Sequence, residues 1–290
     1  MVARPFLIPL SLSCLFYGFL NSGSWRRTGN YAIINPNCGH SARREGRMEM
    51  EIFAHRGASG THPENTMAAF KKAVSLPIAG VELDVHLSKD GVPVVIHDEA
   101  VDRTTDGAGF VKDLTFDELK ELDAGSWFSE EFRGERIPSL REVLELFDGT
   151  GHRLNIELKS DIFPYPGMRE KVIGLVKEFG LGRRVILSSF DHETIRAAKQ
   201  EAPDLETGVL FMEILSDAPA YAASIGADAL HSAIPFAVRG PGQRAVDSGS
   251  ILRVFTVNSR EHAEWVAASG ARAIFTDYPE KMLELFGGHK

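Results

Sequence analysis

The stretch GVELDVHL, residues 80–87, alternates charged or polar side chains with leucine and valine, which is the two-residue period of a β-strand. Glu82 and Asp84 therefore share one face of the predicted strand, and Leu83 and Val85 share the other. A charged face usually marks a strand that is exposed to solvent. Because the flanking pattern places this strand inside a barrel, its carboxylates point inwards and require a compensating charge.

From residue 51 onwards, short β-branched runs alternate with amphipathic helical stretches. Eight predicted strands, each followed by a helix, favour an α/β fold of the (β/α)8 TIM-type barrel class. A doubly wound open sheet uses the same alternation and is the alternative. The predicted strands are IFAH (52–55), GVELDVHL (80–87), RLNIELK (153–159), VILSSF (185–190), TGVLF (207–211), ADALHS (227–232), ILRVFTVN (251–258) and RAIFTD (272–277).

The second predicted strand is not followed directly by a helix. The turn KDG leads into VPVVIH (92–97), which predicts a hairpin. The next stretch, about 98–138, is too long for an ordinary connection between a strand and a helix. It predicts a small insertion on the catalytic face of a domain that spans residues 48–290.

Residues 1–47 differ in composition from the rest of the chain. They contain six Lys or Arg and one acidic residue, a net charge of +5, so the total of −8 leaves −13 for residues 48–290. Such an acidic body argues against nucleic-acid binding. We expect the leader to be disordered. It is either a signal peptide (residues 1–24) of a secreted or cell-envelope protein, or upstream sequence before a true start at Met48 or Met50, which would make the protein cytoplasmic and is favoured.

Ionisable residues recur at the strand ends, where a barrel of parallel strands carries its chemistry. The first strand ends in His55 and Arg56, and the hairpin ends in His97. The third long strand carries Glu157 and Lys159 on one face. Glu157 joins Glu82 and Asp84 as a third inward carboxylate, so we predict one hard divalent cation, Mg²⁺ or Ca²⁺.

The other residue types in this set indicate a reaction. Imidazole titrates near neutral pH and suits general acid–base catalysis. An arginine, a lysine and a metal ion together suit a phosphoryl group, whose oxygens they hold and whose developing charge they stabilise. The residues alone therefore predict metal-assisted hydrolysis of a phosphate ester.

Longer motifs carry a family resemblance. HRGASGTHPENTMAAF, GVELDVHLSKDGVPVVIHDEAVDRTTDGAG, LTFDELKELDAGSWF, RIPSLREVLELF, NIELK, FTVNS and IFTDYP follow in order over residues 51–280. The chain thus resembles the glycerophosphodiester phosphodiesterase family, in its compact bacterial form. The resemblance implies hydrolysis of glycerophosphodiesters, such as glycerophosphocholine or glycerophosphoethanolamine, to glycerol 3-phosphate and an alcohol.

The resemblance also implies roles for seven residues and leaves the division of acid from base open. The implied catalytic acid and base are His55 and His97, the implied metal ligands are Glu82, Asp84 and Glu157, and the implied phosphate contacts are Arg56 and Lys159.

Three further residues carry two interpretations each. Glu64 and Asn65 in PENT either ligate the metal directly or act indirectly, with Asn65 as the N-cap of a helix that starts at Thr66. His86 lies on the face of Glu82 and Asp84, so it is either an additional metal or substrate contact or a polar group at the barrel mouth.

Aromatic residues at strand ends complete the candidate site. Phe190 and Phe255 either line the pocket or pack the structure, and Phe255 stands where the resembled family commonly has tryptophan. We expect Asp277 to cap the last helix.

The functional alternatives are a phospholipase C- or D-like lipid phosphodiesterase on the same barrel and a non-catalytic glycerophosphodiester-binding protein. We expect a small-molecule substrate and no stable membrane insertion, and the oligomeric state is left open.

Overall fold

A computed structural model describes residues 50–286, so the predictions for the leader, residues 1–47, lie outside the described residues. Within residues 50–286, nine strands form one sheet. Their bounds are β1 (Glu51–Ala54), β2 (Gly80–Leu87), β3 (Pro93–Val95), β4 (Arg153–Leu158), β5 (Val185–Ser189), β6 (Glu206–Phe211), β7 (Ala229–Ala233), β8 (Ile251–Phe255) and β9 (Ala273–Thr276).

Eight of these strands close into a parallel barrel. The order runs β1-β9-β8-β7-β6-β5-β4-β2, and β1 also pairs with β2, which joins the two ends. The predicted (β/α)8 barrel is therefore confirmed, and the open sheet is excluded because an open sheet would leave two unpaired edges. All eight residues of β2 are buried, although three of them are polar or charged.

Helices surround the barrel and connect its strands. Their bounds are α1 (Met67–Val74), α2 (Phe116–Glu121), α3 (Leu140–Phe147), α4 (Met168–Glu178), α5 (His192–Glu201), α6 (Ala218–Ile225), α7 (Ile234–Ala237), α8 (Gly240–Asp247), α9 (Arg260–Ser269) and α10 (Pro279–Phe286). Side-chain caps define several starts: Ser139 and Glu142 form a capping box at α3, and Asp191 caps α5. Within residues 50–286, no helix has the length and apolar composition needed to cross a bilayer.

The segment after β2 folds against the barrel mouth. The antiparallel strand β3 pairs with β2, as the hairpin pattern predicts. Beyond it, the stretch 98–138 contains α2 and encloses a small apolar core of its own, which includes Val101, Val111 and Leu119. This core explains how a long connection holds a defined shape beside the strand ends.

Candidate active site

Three carboxylates converge inside the barrel. Glu82 and Asp84 come from β2 and Glu157 comes from β4, where the strand register places Asp84 beside Glu157. One oxygen atom of each residue lies within 4.8 Å of the other two. The alternation of side chains along the two strands predicts this convergence, and the structure confirms it.

Burial makes the charge of this cluster costly. Burial and the carboxylates of Asp84 and Glu157 raise the pKa of Glu82 well above its usual value. Burial also raises the pKa of Glu157, although Lys159 opposes this shift. Burial acts on Asp84 too, but His97, Arg56 and Lys159 hold the pKa of that carboxyl below its ordinary range. The carboxylates therefore need additional positive charge before all three are ionised together.

Two basic side chains supply part of that charge. The backbone N–H of Arg56 donates to Glu82 Oε2 at 2.8 Å, and its guanidinium Nε lies 3.4 Å from Asp84 Oδ2. Lys159 Nζ donates to Glu157 Oε1 at 3.0 Å. Arg56 has a φ of 55°, a conformation that is uncommon outside glycine, and it thereby offers its backbone N–H to the cluster.

The remaining features of the cluster fit a divalent metal ion. Its ligands are carboxylates without cysteine, which suits a hard cation such as Mg²⁺ or Ca²⁺. Glu82 Oε1 is buried and makes no hydrogen bond within the part of the chain that the structure describes. An oxygen in that position is costly unless a cation or another donor meets it. The donor set therefore indicates a divalent metal site and does not select between the two ions.

His55 stands beside this cluster and is oriented by an aspartate. Its Nδ1 donates to Asp277 Oδ1 at 2.7 Å, and its Nε2 lies 4.0 Å from Glu82 Oε2. Because a carboxylate only accepts, this contact places a ring hydrogen on Nδ1, so the neutral form of the ring carries its lone pair on Nε2. Asp277 also accepts from Ser59 and Asn258. Burial opposes ionisation of Asp277, yet His55 and Asn258 hold its pKa below the usual value.

The prediction for Asp277 is therefore wrong. The side chain of Asp277 instead points towards β1 and accepts the hydrogen bond from His55, the residue that follows β1. Because β1 pairs with β9, the first and last strands of the chain are neighbours, and the residue that follows the last strand meets the residue that follows the first.

His97 has a matching aspartate partner. Its Nδ1 donates to Asp98 Oδ1 at 2.6 Å, and its Nε2 lies 3.5 Å from Lys159 Nζ. Arg103 donates to both oxygens of Asp98, at 2.6 and 3.0 Å, and to both oxygens of Glu64, at 2.9 and 2.7 Å. Arg103 thus holds the orienting partner of His97 in place.

Glu64 and Asn65 of PENT make hydrogen bonds to charged residues around the cluster. Glu64 pairs with Arg56 at 2.9 Å, in addition to Arg103, and lies outside the carboxylate cluster. Asn65 donates from Nδ2 to Asp84 Oδ2 at 2.9 Å. The N-cap of α1 is Thr66, whose hydroxyl accepts from the backbone of Ala69, so the predicted cap at Asn65 is displaced by one residue.

His86 lies behind His97. Its Nε2 donates to the backbone carbonyl of His97 at 3.0 Å, and its Nδ1 accepts from the Tyr165 hydroxyl at 3.1 Å. Burial lowers the pKa of His86, which keeps the ring neutral. The structure therefore places His86 as a polar group of the mouth, where it supports the loop that carries His97.

Phe190 and Phe255 form an edge-to-face pair with ring centroids 5.9 Å apart. They follow β5 and end β8 respectively, and both are half-buried. Their position is compatible with the pocket wall that the sequence suggests.

Sequence reasoning did not identify Arg103 and Asn258, which hold the two aspartates. Asn258 donates to Asp277 Oδ2 at 2.6 Å and accepts from the Asp277 backbone N–H at 2.9 Å. The available signal was positional. Arg103 lies five residues after Asp98, but its other partner, Glu64, follows β1, and Asn258 follows β8 whereas its partner Asp277 follows β9.

Known proteins are similar to this chain in sequence and in fold. Residues 55–281 match the family model described as the glycerophosphoryl diester phosphodiesterase family. A glycerophosphodiester phosphodiesterase of Caldanaerobacter subterraneus subsp. tengcongensis is 46% identical over 242 residues, which cover 82% of this chain and 98% of that relative. A glycerophosphodiester phosphodiesterase of Bacillus altitudinis is 40% identical over 240 residues, which cover 81% of this chain and 97% of that relative.

A solved structure shows the same likeness. The Oleispira antarctica phosphodiesterase in complex with its product sn-glycerol-3-phosphate aligns with a TM-score of 0.73 and 34% identity, covering 83% of this chain and 98% of that one. Taken together with the barrel and its convergent carboxylates, these likenesses show that the chain belongs to the glycerophosphoryl diester phosphodiesterase family, the enzymes that hydrolyse glycerophosphodiesters.

Proposed function

We propose that this enzyme is metal-dependent and releases glycerol 3-phosphate from glycerophosphodiesters such as glycerophosphocholine and glycerophosphoethanolamine by two-histidine acid–base catalysis. The observation that carries the proposal is the juxtaposition of two aspartate-oriented imidazoles with one buried carboxylate cluster. Nε2 of His55 faces the carboxylate of Glu82, and Nε2 of His97 faces the ammonium of Lys159. That arrangement suits two proton transfers at a single phosphorus centre.

Each side chain has a distinct task in the proposed reaction. Glu82, Asp84 and Glu157 would hold one divalent cation, which when bound neutralises phosphate oxygens and stabilises charge in the transition state. Arg56 and Lys159 contact phosphate oxygens. Their high pKa values, which the nearby carboxylates raise against the effect of burial, keep both side chains charged.

The histidines of the proposed site share the proton transfers. One Nε2 takes the proton from the attacking oxygen, and the other Nε2 delivers a proton to the leaving alcohol. Asp277 and Asp98 fix the ring tautomers by accepting from Nδ1 of His55 and His97. They also stabilise each ring while it carries the additional proton.

The direct test is release of glycerol 3-phosphate from a panel of headgroups, measured with Mg²⁺, with Ca²⁺ and with chelator. We expect activity with one or both ions, and its loss on chelation should be reversed by adding metal. Turnover that persists after exhaustive chelation would contradict the metal site. Intact phospholipid in the same panel tests phospholipase activity, for which we expect no turnover.

Histidine variants separate catalysis from binding. His55→Ala and His97→Ala should lose turnover while retaining the carboxylates, and therefore should still bind metal in calorimetry. Normal turnover in either variant would remove that ring from the mechanism.

We propose further that residues 48–290 form the catalytic domain, with an insertion at about 98–138, in a cytoplasmic protein that starts at Met48 or Met50. The acidic composition of this part supports the absence of a nucleic-acid partner. N-terminal sequencing of the native protein tests the start, and a mature end near Trp25 would favour a signal peptide instead.

A further inference from the structure

A partly exposed aromatic pair contacts a lysine of the same chain. Phe110 and Phe163 meet edge to face with ring centroids 5.3 Å apart. Lys112 Nζ lies 5.5 Å from the centroid of Phe110 and 5.2 Å from that of Phe163. The same ammonium donates to Asp113 Oδ1 at 2.8 Å. We call Phe110, Lys112 and Phe163 the rim cluster.

The rim cluster adjoins His97 through short connections. Phe110 pairs with Ala100, three residues after His97, in an isolated antiparallel bridge. On the other side, Phe163 is two residues from Tyr165, whose hydroxyl contacts the ring of His86, and His86 in turn holds the His97 carbonyl. The cluster therefore lies on the His97 side of the catalytic face.

The chemistry of the rim cluster is that of a cation-binding site. Aromatic faces attract ammonium groups, and quaternary ammonium ligands are recognised in this way. Asp113 adds a carboxylate beside the rings. In this structure the cation is supplied by the protein, because Lys112 places its own ammonium against both rings and Asp113.

The position and the chemistry of the rim cluster indicate which part of the substrate would reach it, namely the leaving alcohol. A phosphodiester held near His97 has two substituents, one of which is the glycerol that remains on the product. The other is the alcohol, which is cationic when it is choline and uncharged when it is glycerol. An alcohol that extends past His97 towards the rim cluster reaches the ammonium of Lys112 and the aromatic faces that this ammonium covers.

We propose that the rim cluster is the subsite for the leaving alcohol and that Lys112 makes it select against cationic alcohols. This inference rests on the proposed function and names the substrate preference of the same site. The ammonium of Lys112 repels choline and occupies the aromatic faces that choline would contact. Removal of Lys112 leaves Phe110, Phe163 and an unpaired Asp113, which together attract a quaternary ammonium.

The test compares two substrates in the full-length enzyme with its metal. The measured quantity is the ratio of kcat/KM for glycerophosphocholine to kcat/KM for glycerophosphoglycerol, whose leaving alcohol is uncharged. Lys112→Gln should raise this ratio about 3- to 10-fold, the size of a cation–π contact at an exposed site together with loss of one repulsive charge. Adding Phe163→Leu to Lys112→Gln should cancel most of the gain.

Lys120 provides a matched control. Its ammonium lies 5.4 Å from the Phe116 ring and pairs with Glu142, so it makes the same two kinds of contact in another part of the insertion. Lys120→Gln makes the same change in net charge and should leave the ratio unaltered.

Several outcomes would overturn the proposal. They are an unchanged or lowered ratio in Lys112→Gln, an equal gain in Lys120→Gln, and a gain that survives removal of the Phe163 ring. In those cases glycerol 3-phosphate release by the unaltered enzyme would still support the proposed function. Absence of turnover on every diester would overturn the proposed function, and this inference with it.

Discussion

Replacing Asp277 by asparagine should reverse the hydrogen bond that orients His55. Asn258 donates to Asp277 Oδ2, so in the variant the amide oxygen remains at that position and the amide nitrogen takes the place of Oδ1. That nitrogen faces His55 Nδ1 at the position of the present 2.7 Å contact and can only donate. His55 must then accept on Nδ1 and carry its hydrogen on Nε2.

The magnitude follows from the loss of the required tautomer. A ring that bears hydrogen on Nε2 cannot accept a proton there, and a neutral amide no longer stabilises a protonated ring. General acid–base catalysis contributes about 10²- to 10⁴-fold, so kcat should fall by a factor within that range, or about 3 to 5 kcal/mol in activation free energy. Folding should change little, because the amide has the shape of the carboxylate, Asn258 keeps its acceptor, and the Ser59 hydroxyl still donates to the His55 carbonyl.

The assay combines turnover, metal binding and thermal unfolding. Asp191→Asn is the matched control, because Asp191 also follows a barrel strand but caps α5 through the backbone of Glu193 and Thr194. We expect Asp191→Asn to keep its turnover, since asparagine also caps helices. If Asp277→Asn binds metal, unfolds normally and retains more than about a tenth of the original kcat, the orienting role of Asp277 is refuted.

Four other changes have defined outcomes. Arg103→Lys keeps the charge but cannot bridge two carboxylates, so kcat should fall about 10-fold with little change in melting temperature, and unchanged kinetics would show that this bridge is dispensable. Glu157→Gln should abolish turnover through loss of metal affinity, which calorimetry will show as absent binding by a protein whose metal-free form still unfolds cooperatively. Because the pKa of Glu82 is raised well above its usual value, metal binding should release protons and weaken as the pH falls towards 5, and calorimetry in buffers of different ionisation enthalpy checks both effects. Burial, Arg253 and Arg153 lower the pKa of His231 well below 6.5, so the unfolded chain binds an additional proton below that pH and the folded state loses stability as the pH falls. Between pH 6 and pH 5 the unfolding free energy of the unaltered protein should fall by up to about 1.4 kcal/mol more than that of His231→Gln, and equal slopes in denaturant titrations would contradict this assignment.

The carboxylate cluster is the part of the site that sequence patterns predict best. The side-chain period of a strand places Glu82 and Asp84 on one face, and parallel strands with chemistry at one end bring Glu157 to the same region. These are local rules, which need only the strand assignment and the direction of the chain. The predicted strand bounds differ from the observed ones by a few residues at most, and these differences do not change the alternation.

The sequence pattern predicts the helices less completely than the strands. The segment GPGQRAVD forms α8 and IPFA forms the four-residue α7. Glycine and proline have low intrinsic helix propensity, and so short a segment shows no period. Packing on the barrel stabilises both helices, and packing is not encoded in either segment alone.

The partner of His55 depends on closure of the barrel, and the contact of Arg103 with Glu64 depends on folding of the insertion. Asp277 is 222 positions from His55 and reaches it because β9 pairs with β1. Arg103 reaches Glu64 across 39 positions because the insertion folds over the catalytic face. The sequence by itself determined which residue types line the inner faces of the strands, because side-chain alternation is a property of each strand. Only the tertiary structure decided which aspartate orients His55, because a contact across the barrel seam depends on all eight strands together.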